Sequence, residues 1–207
     1  VGTSTNGAGA FGASVNMSTE CIGLKPFLGL DVSAGSYYSH KQTLRFGTGL
    51  LGEHWGIQGR LSNIGSKGYI DRASAKLNSY LLQAGYFSDN TVVKLITWNG
   101  TEETYHAWNY ASKQEQQQYG RSYNSSGYMY TDDAGIRHYY RNQTDNYHQQ
   151  SYQLIWNQLW GPHLNLNATL HYTKGQGYYD EYKANESTKK YGLLRTDAAT
   201  GTLMEYT

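Results

Sequence analysis

The chain has 207 residues, with 17 Lys and Arg against 16 Asp and Glu, and its net charge of +1 offers no general field for holding nucleic acid. Only 38% of residues are hydrophobic and mean hydropathy is -0.70, yet 21 Tyr and 24 Gly stand beside 2 Pro. That mixture excludes a helical bundle and a charged disordered tail, and it favours many β-strands.

The opening, residues 1–16, is almost wholly small, with Gly at positions 2, 7, 9 and 12. Such a run builds no core of its own but can pass close to other backbone. Phe11, Val15 and Met17 are spaced for packing, which a flexible linker rarely needs. The single cysteine, Cys21, has no partner for an internal disulfide. The chain starts at Val1 without a targeting segment and is expected to be a piece cut at both ends.

From Leu28 period-two alternation begins. Leu28, Leu30, Val32 and Ala34 oppose Gly29, Asp31, Ser33 and Gly35. A second strand sets Leu44, Phe46, Thr48 and Leu50 against Thr43, Arg45, Gly47 and Gly49, and a third sets Trp55, Ile57, Gly59 and Leu61 against Gln58, Arg60 and Ser62. Residues 75–86 and 91–98 read as a fourth and a fifth strand, although the alternation slips phase at Leu81–Leu82 and at Val92–Val93. A bulge is expected at the first slip. Residues 151–160 place Tyr152, Leu154, Trp156 and Trp160 on one face. The seventh strand sets Leu164, Leu166, Ala168, Leu170 and Tyr172 against an entirely polar Asn165, Asn167, Thr169, His171 and Thr173. No segment shows a helical period with caps, and no run of 18 apolar residues could cross a membrane as a helix. A barrel strand, by contrast, needs only about 9 to 11 alternating residues.

Strands four and five are joined by 88–90 and the last two by 161–163, both tight hairpin chemistry. A medium loop, 63–72, and a long Tyr-rich stretch, 99–148, fall at the opposite ends of their strands, and the polar character returns after Lys174. An all-β, antiparallel up-and-down meander with one short-turn rim and one long-loop rim is therefore expected, as in outer-membrane barrels.

The string GTSTNGAGAFGASVNMST, Gly2 to Thr19, resembles the end of the plug domain of TonB-dependent outer-membrane receptors, particularly those of Bacteroidota. The AGSY turn at Ala34 to Tyr37 and the GYIDR loop at Gly68 to Arg72 resemble that family's first barrel hairpins. The resemblance covers residues 2–98; beyond them it rests on strand and loop character. It implies that residues 1–24 end a plug and that 25–207 begin a transmembrane β-barrel with long extracellular loops, about 7 of 22 strands. The implied activity is uptake of a nutrient, a ferric siderophore, haem or cobalamin foremost and a glycan among the further choices, across the bacterial outer membrane. The implied partners are outer-membrane lipid and TonB, the latter through a box absent from this stretch. No nucleic acid, cofactor or catalytic role is expected.

Within the long loop, Tyr105, Trp108, Tyr119, Tyr123, Tyr128, Tyr130, Tyr139 and Tyr140, with Arg121, Arg137 and Arg141, are the candidate ligand contacts. Loop aromatics supply amphipathic area for catecholates, porphyrins or sugars, and Arg attracts anionic complexes. The same aromatics also serve to pack loops together, and acids such as Glu102, Glu103, Glu115, Asp132, Asp133 and Asp145 blunt the pull of the arginines. The seven His lack ligand-like spacing, and Asp132–Asp133 lacks a calcium-loop pattern. There is no G-x-S-x-G, H-E-x-x-H or P-loop. The alternatives are a soluble β-sandwich that binds carbohydrate, in which the apolar faces would pack on one another, and a surface adhesin on a similar barrel.

Overall fold

The computed structural model describes residues 19–184, 186–197 and 201–205. The small-residue stretch expected to end a plug lies outside them up to residue 18. Five strands follow one another, β1 (Pro26–Gly35), β2 (Ser39–Leu51), β3 (Trp55–Ser66), β4 (Ala75–Phe87) and β5 (Thr91–Tyr105). Helix α1 (Lys113–Tyr119) and a small hairpin, β6 (Tyr128–Thr131) with β7 (Arg137–Tyr139), lead to the long strands β8 (Thr144–Trp160) and β9 (Leu164–Tyr179). A 3-10 turn (Thr188–Tyr191) and the pair β10 (Leu194–Thr196) and β11 (Leu203–Glu205) come last.

One antiparallel sheet dominates, in the order β1-β2-β3-β4-β5-β8-β9, and every neighbour in it is also the next long strand along the chain. Three short turns, 52–54, 88–90 and 161–163, form one rim. Connections 36–38, 67–74 and 106–143 form the other, so the expected meander and its two unlike rims are present.

Three details differ from the sequence expectation. The register of β4 is continuous with both β3 and β5, so no bulge lies at Leu81–Leu82. The phase slips there because Leu81 and Leu82, like Val92 and Val93, face opposite sides and both sides carry large apolar residues. The one register shift in these strands is in β2, between Gly47 and Leu50. There Gly49 has φ 68° and a Cβ would lie 2.8 Å from the backbone of residues 24–26, so only glycine fits.

Second, the strands are longer than their apolar alternation. β5 runs to Tyr105, β8 begins at Thr144 and β9 ends at Tyr179, so Tyr105 and Tyr147 are strand residues and the long loop starts at His106. These extensions are polar on both faces and are held by ladder pairing, such as Glu102 opposite Tyr147 and Asp145 opposite Tyr179, and by polar side-chain bonds such as Lys76 to Glu103 at 2.8 Å and Gln150 to the Tyr80 hydroxyl at 3.1 Å. Third, α1 is a helix where none was expected. Its start is a capping box: Ser112 Oγ accepts from Glu115 N at 3.2 Å, and the Glu115 carboxylate accepts from Ser112 N at 2.8 Å. Those two bonds hold the Glu115 carboxyl below its ordinary pKa.

Register assigns every long-strand side chain to one of two faces. Leu28, Leu44, Leu61, Leu82, Leu95, Leu154 and Leu170 share one face, and Asp31, Thr43, Gln58, Gln83, Ser151 and His171 share the other. The burial is inverted relative to an aqueous core. On the polar face Gln83 is 2% exposed and Ser151 1%, whereas on the apolar face Leu28 is 77% exposed and Leu170 68%. Segment 19–24 lies across the polar face. There Gly23 N donates to Gln58 Oε1 and Gln83 Nε2 donates to the Glu20 carbonyl, each at 3.2 Å. Ile22 fills the space above Gly56 and Gly85, where an added Cβ would meet it at 2.5 and 3.0 Å.

Candidate functional site

At the long-loop rim, connection 106–143 folds back on loop 67–74 around one buried polar side chain. Asn124, 1% exposed, donates through Nδ2 to the carbonyls of Asp71 at 3.0 Å and His106 at 2.9 Å, and its Oδ1 accepts from Ser126 N at 3.0 Å. Asn suits this place because its amide turns back on its own backbone two residues on while presenting two donors outward. Arg72 donates in return to the Asn124 carbonyl. Arg72 itself has φ 64°, a conformation side chains rarely adopt, and its guanidinium lies 3.5 Å over the Tyr139 ring and 5.8 Å from that of Tyr105.

The candidate contacts divide by this architecture. Tyr105 is buried and its hydroxyl donates to the carbonyls of Tyr140 at 2.8 Å and Ser126 at 3.3 Å, so it closes the loop from below rather than meeting a ligand. Tyr139 lies beneath Arg72, and Tyr140 faces Tyr182 at 6.1 Å. Tyr119, Tyr123 and Arg137 come together: the two rings are 4.8 Å apart and Arg137 sits 3.4 Å over Tyr119. This ties α1 to β7. Burial pushes the Tyr123 hydroxyl above its ordinary pKa.

Tyr130 stacks on His138 at 4.6 Å, and His138 Nε2 meets Asp132 Oδ2 at 2.9 Å. That bond, followed by the amide of Ile136, lowers the Asp132 pKa. With its carboxylate so committed and Asp145 in β8, the acids do not converge on a calcium site. Among the described residues no group of His, Cys, Asp or Glu is placed to hold a metal ion. Trp108 stacks on the buried His106 at 3.7 Å and leaves its outer surface 53% exposed. Tyr128 is also exposed, and Arg121 and Arg141 are exposed with no partner among the described residues. The surface open to a ligand therefore consists of Trp108, Tyr119, Tyr128, Tyr130, Arg121 and Arg141, while the remaining candidates build the platform under it. Arg72, His106 and Asn124, which hold that platform, were not among the sequence candidates. The Asn-Ser-Ser turn at 124–126 is the one local signal that marks them.

Comparison of the chain with protein-family models, curated proteins and solved structures gave no match.

Proposed function

We propose that the seven-stranded sheet is part of the wall of an outer-membrane β-barrel, in a receptor of the TonB-dependent kind that imports a nutrient such as a ferric siderophore, haem or cobalamin. The observation that carries this reading is the bare apolar face opposite a polar face that holds the buried side chains. A soluble sandwich covers its leucines, whereas a barrel wall in lipid exposes them and keeps its polar side inward.

The apolar band also crosses the sheet obliquely. Leu28, Phe46, Gly59, Leu82, Thr97, Tyr152 and Tyr172 occupy one hydrogen-bonded row. On β1 the band rises above this row to Ala34, and on β9 it stops at Tyr172 and descends to Leu164. Its upper edge thus drops by about six residues, roughly 20 Å, over six strand spacings of about 4.8 Å, which is a tilt of roughly 35°. Transmembrane barrel strands tilt by about 35 to 45°. Aromatic rings flank the band: Trp55 and Tyr86, 4.9 Å apart, and Trp156 and Trp160, 6.2 Å apart, at the short-turn side, and the Tyr152–Tyr172 stack at the other. Such girdles mark the two interfaces of a bilayer. Segment 19–24 on the polar face supports reading 1–24 as the end of a stopper inside the lumen, with the rim loops outside the cell as the ligand surface.

The test is single cysteines labelled with a fluorophore in the full-length receptor, reconstituted with brominated lipid. Labels at Leu95→Cys and Leu170→Cys are expected to be quenched, and labels at Lys94→Cys and His171→Cys are not. A cooperatively melting, water-soluble monomer with unquenched labels at both leucines would instead establish the sandwich reading.

A further inference from the structure

Large apolar side chains on the polar face of β3, β4 and β5 border a trough. Register puts Ser62, Ser79 and Gly100 in one row across β3, β4 and β5. The row on one side holds Ile64, Leu77, Glu102 and Tyr147, and the row on the other holds Arg60, Leu81 and Trp98. The space between these banks is a groove of about 410 Å³, lined by Arg60, Ile64, Leu77, Trp98, Glu102 and Tyr147.

Two features of the groove have no explanation within the described fold. Gly100 lies inside β5, where glycine weakens a strand, yet a Cβ added to it would meet nothing within 4 Å. The packed glycines differ: Gly56 and Gly85 are kept small by Ile22, and Gly59 by Phe46 and Leu82. A strand glycine over open space makes room for something the described residues do not supply. Arg60, in turn, faces Arg45 directly across the strands, an unfavourable like-charge pair. Arg45 is bridged to Asp31 at 3.2 Å, whereas Arg60 has no partner among the described residues. Residues 1–18 contain no Asp or Glu to neutralise it.

We infer that this groove is a binding subsite for a flat, largely apolar solute bearing an acidic group. Its ring system lies over Gly100 between Trp98 and the Ile64–Leu77 bank, and its acid pairs with the Arg60 guanidinium. Glu102 on the far bank accepts from a hydroxyl or amide of the same solute. The inference rests on the barrel-wall reading, in which the polar face lines the lumen: it places a second contact for the cargo below the rim loops.

The probe is 2-naphthoate, with its neutral counterpart 2-naphthylmethanol, titrated calorimetrically into the full-length receptor in nanodiscs, with empty nanodiscs subtracted. Wild type is expected to bind naphthoate. Gly100→Leu fills the trough without strain and is expected to weaken both probes at least about tenfold, while Arg60→Gln weakens naphthoate about tenfold and the alcohol little, as loss of one charge-assisted hydrogen bond implies. Absence of naphthoate binding to wild type, binding that survives Gly100→Leu, or equal effects of Arg60→Gln on the two probes overturns the inference. So does a Gly100→Leu receptor that no longer folds, since protein would then fill the groove. Insertion is scored separately by co-elution with lipid. Inserted receptor that ignores the probe defeats the groove alone, and failure to insert defeats the barrel-wall reading.

Discussion

Arg72 and Asn124, 52 residues apart, hold each other across two loops: the guanidinium donates to the Asn124 carbonyl, while the Asn124 amide donates to the carbonyl of Asp71, next to Arg72 in the chain. The pair turns two rim connections into one body, and it holds Arg72 at φ 64° over the Tyr139 ring. The exposed aromatics are thereby carried on a fixed platform.

Asn124→Ala is expected to free that platform. It leaves the carbonyls of Asp71 and His106 and the amide of Ser126 without their partner. At about 1 to 3 kcal/mol for a buried unsatisfied group, partly relieved by water, local opening becomes easier by roughly 2 to 4 kcal/mol. Hydrogen exchange should accelerate across 106–143 and stay unchanged in β3 and β4. Unchanged exchange in the loop counts against the role given to Asn124.

Loop docking is expected to weaken in acid. Burial holds His106 below its ordinary pKa of 6.5, against the opposing pull of Asp145, Glu181 and Asp180. Neither ring nitrogen has a hydrogen-bond partner among the described residues, so protonation places an unpaired charge inside the loop. A depressed His pKa means that the undocked state binds the proton more readily. The contribution is therefore complete above pH 6.5 and is lost as pH falls through that value toward the docked one. Protease cleavage within 106–143 should rise below pH 6.5, and His106→Phe should flatten the dependence while keeping the stack on Trp108.

Leu166→Arg should impair assembly of the full receptor by roughly 2 to 4 kcal/mol if the residue sits near mid-bilayer, whereas Asn167→Arg, on the polar face, should be tolerated. Heat-modifiable mobility of outer-membrane fractions reads both. Equal tolerance of the two charges argues against lipid contact.

Gly56→Val should lift the segment that crosses the polar face. Its Cβ would fall 2.5 Å from Ile22 Cγ2 and 3.2 Å from the Gly49 carbonyl, an overpacking that costs about 1 to 3 kcal/mol. The amides of Gly23 and Leu50, which donate to Gln58 Oε1 and the Leu24 carbonyl, should then exchange faster. Protection equal to wild type would mean that Ile22 does not hold the segment down.

Alternation made the strands legible where one face alone is apolar, as in Leu164 to Tyr172, because a period of two is fixed by the pleat whatever the strand packs against. It failed at Leu81–Leu82, where the groove bank puts a leucine on each face, and in 99–105 and 144–150, where both faces are polar and no apolar stripe marks the strand. Helix α1 was missed although Ser112 and Glu115 spell its capping box, because seven residues are too few to show a helical period. In the loops, the residue types of a ligand surface were visible, but which of them face outward was not. Tyr105 and Trp108 look alike in the sequence; one is a buried strut and the other an exposed platform.

The sequence by itself determined the order and direction of the strands, the short and long rims, and the existence of one apolar face, since each follows from local spacing and turn chemistry. Only the tertiary structure decided that this face stays bare while glutamines and serines are buried, that the apolar band runs aslant, and that Arg60 and Trp98 border one groove. Those facts depend on register between strands distant in the chain, which side-chain period alone leaves free by multiples of two residues.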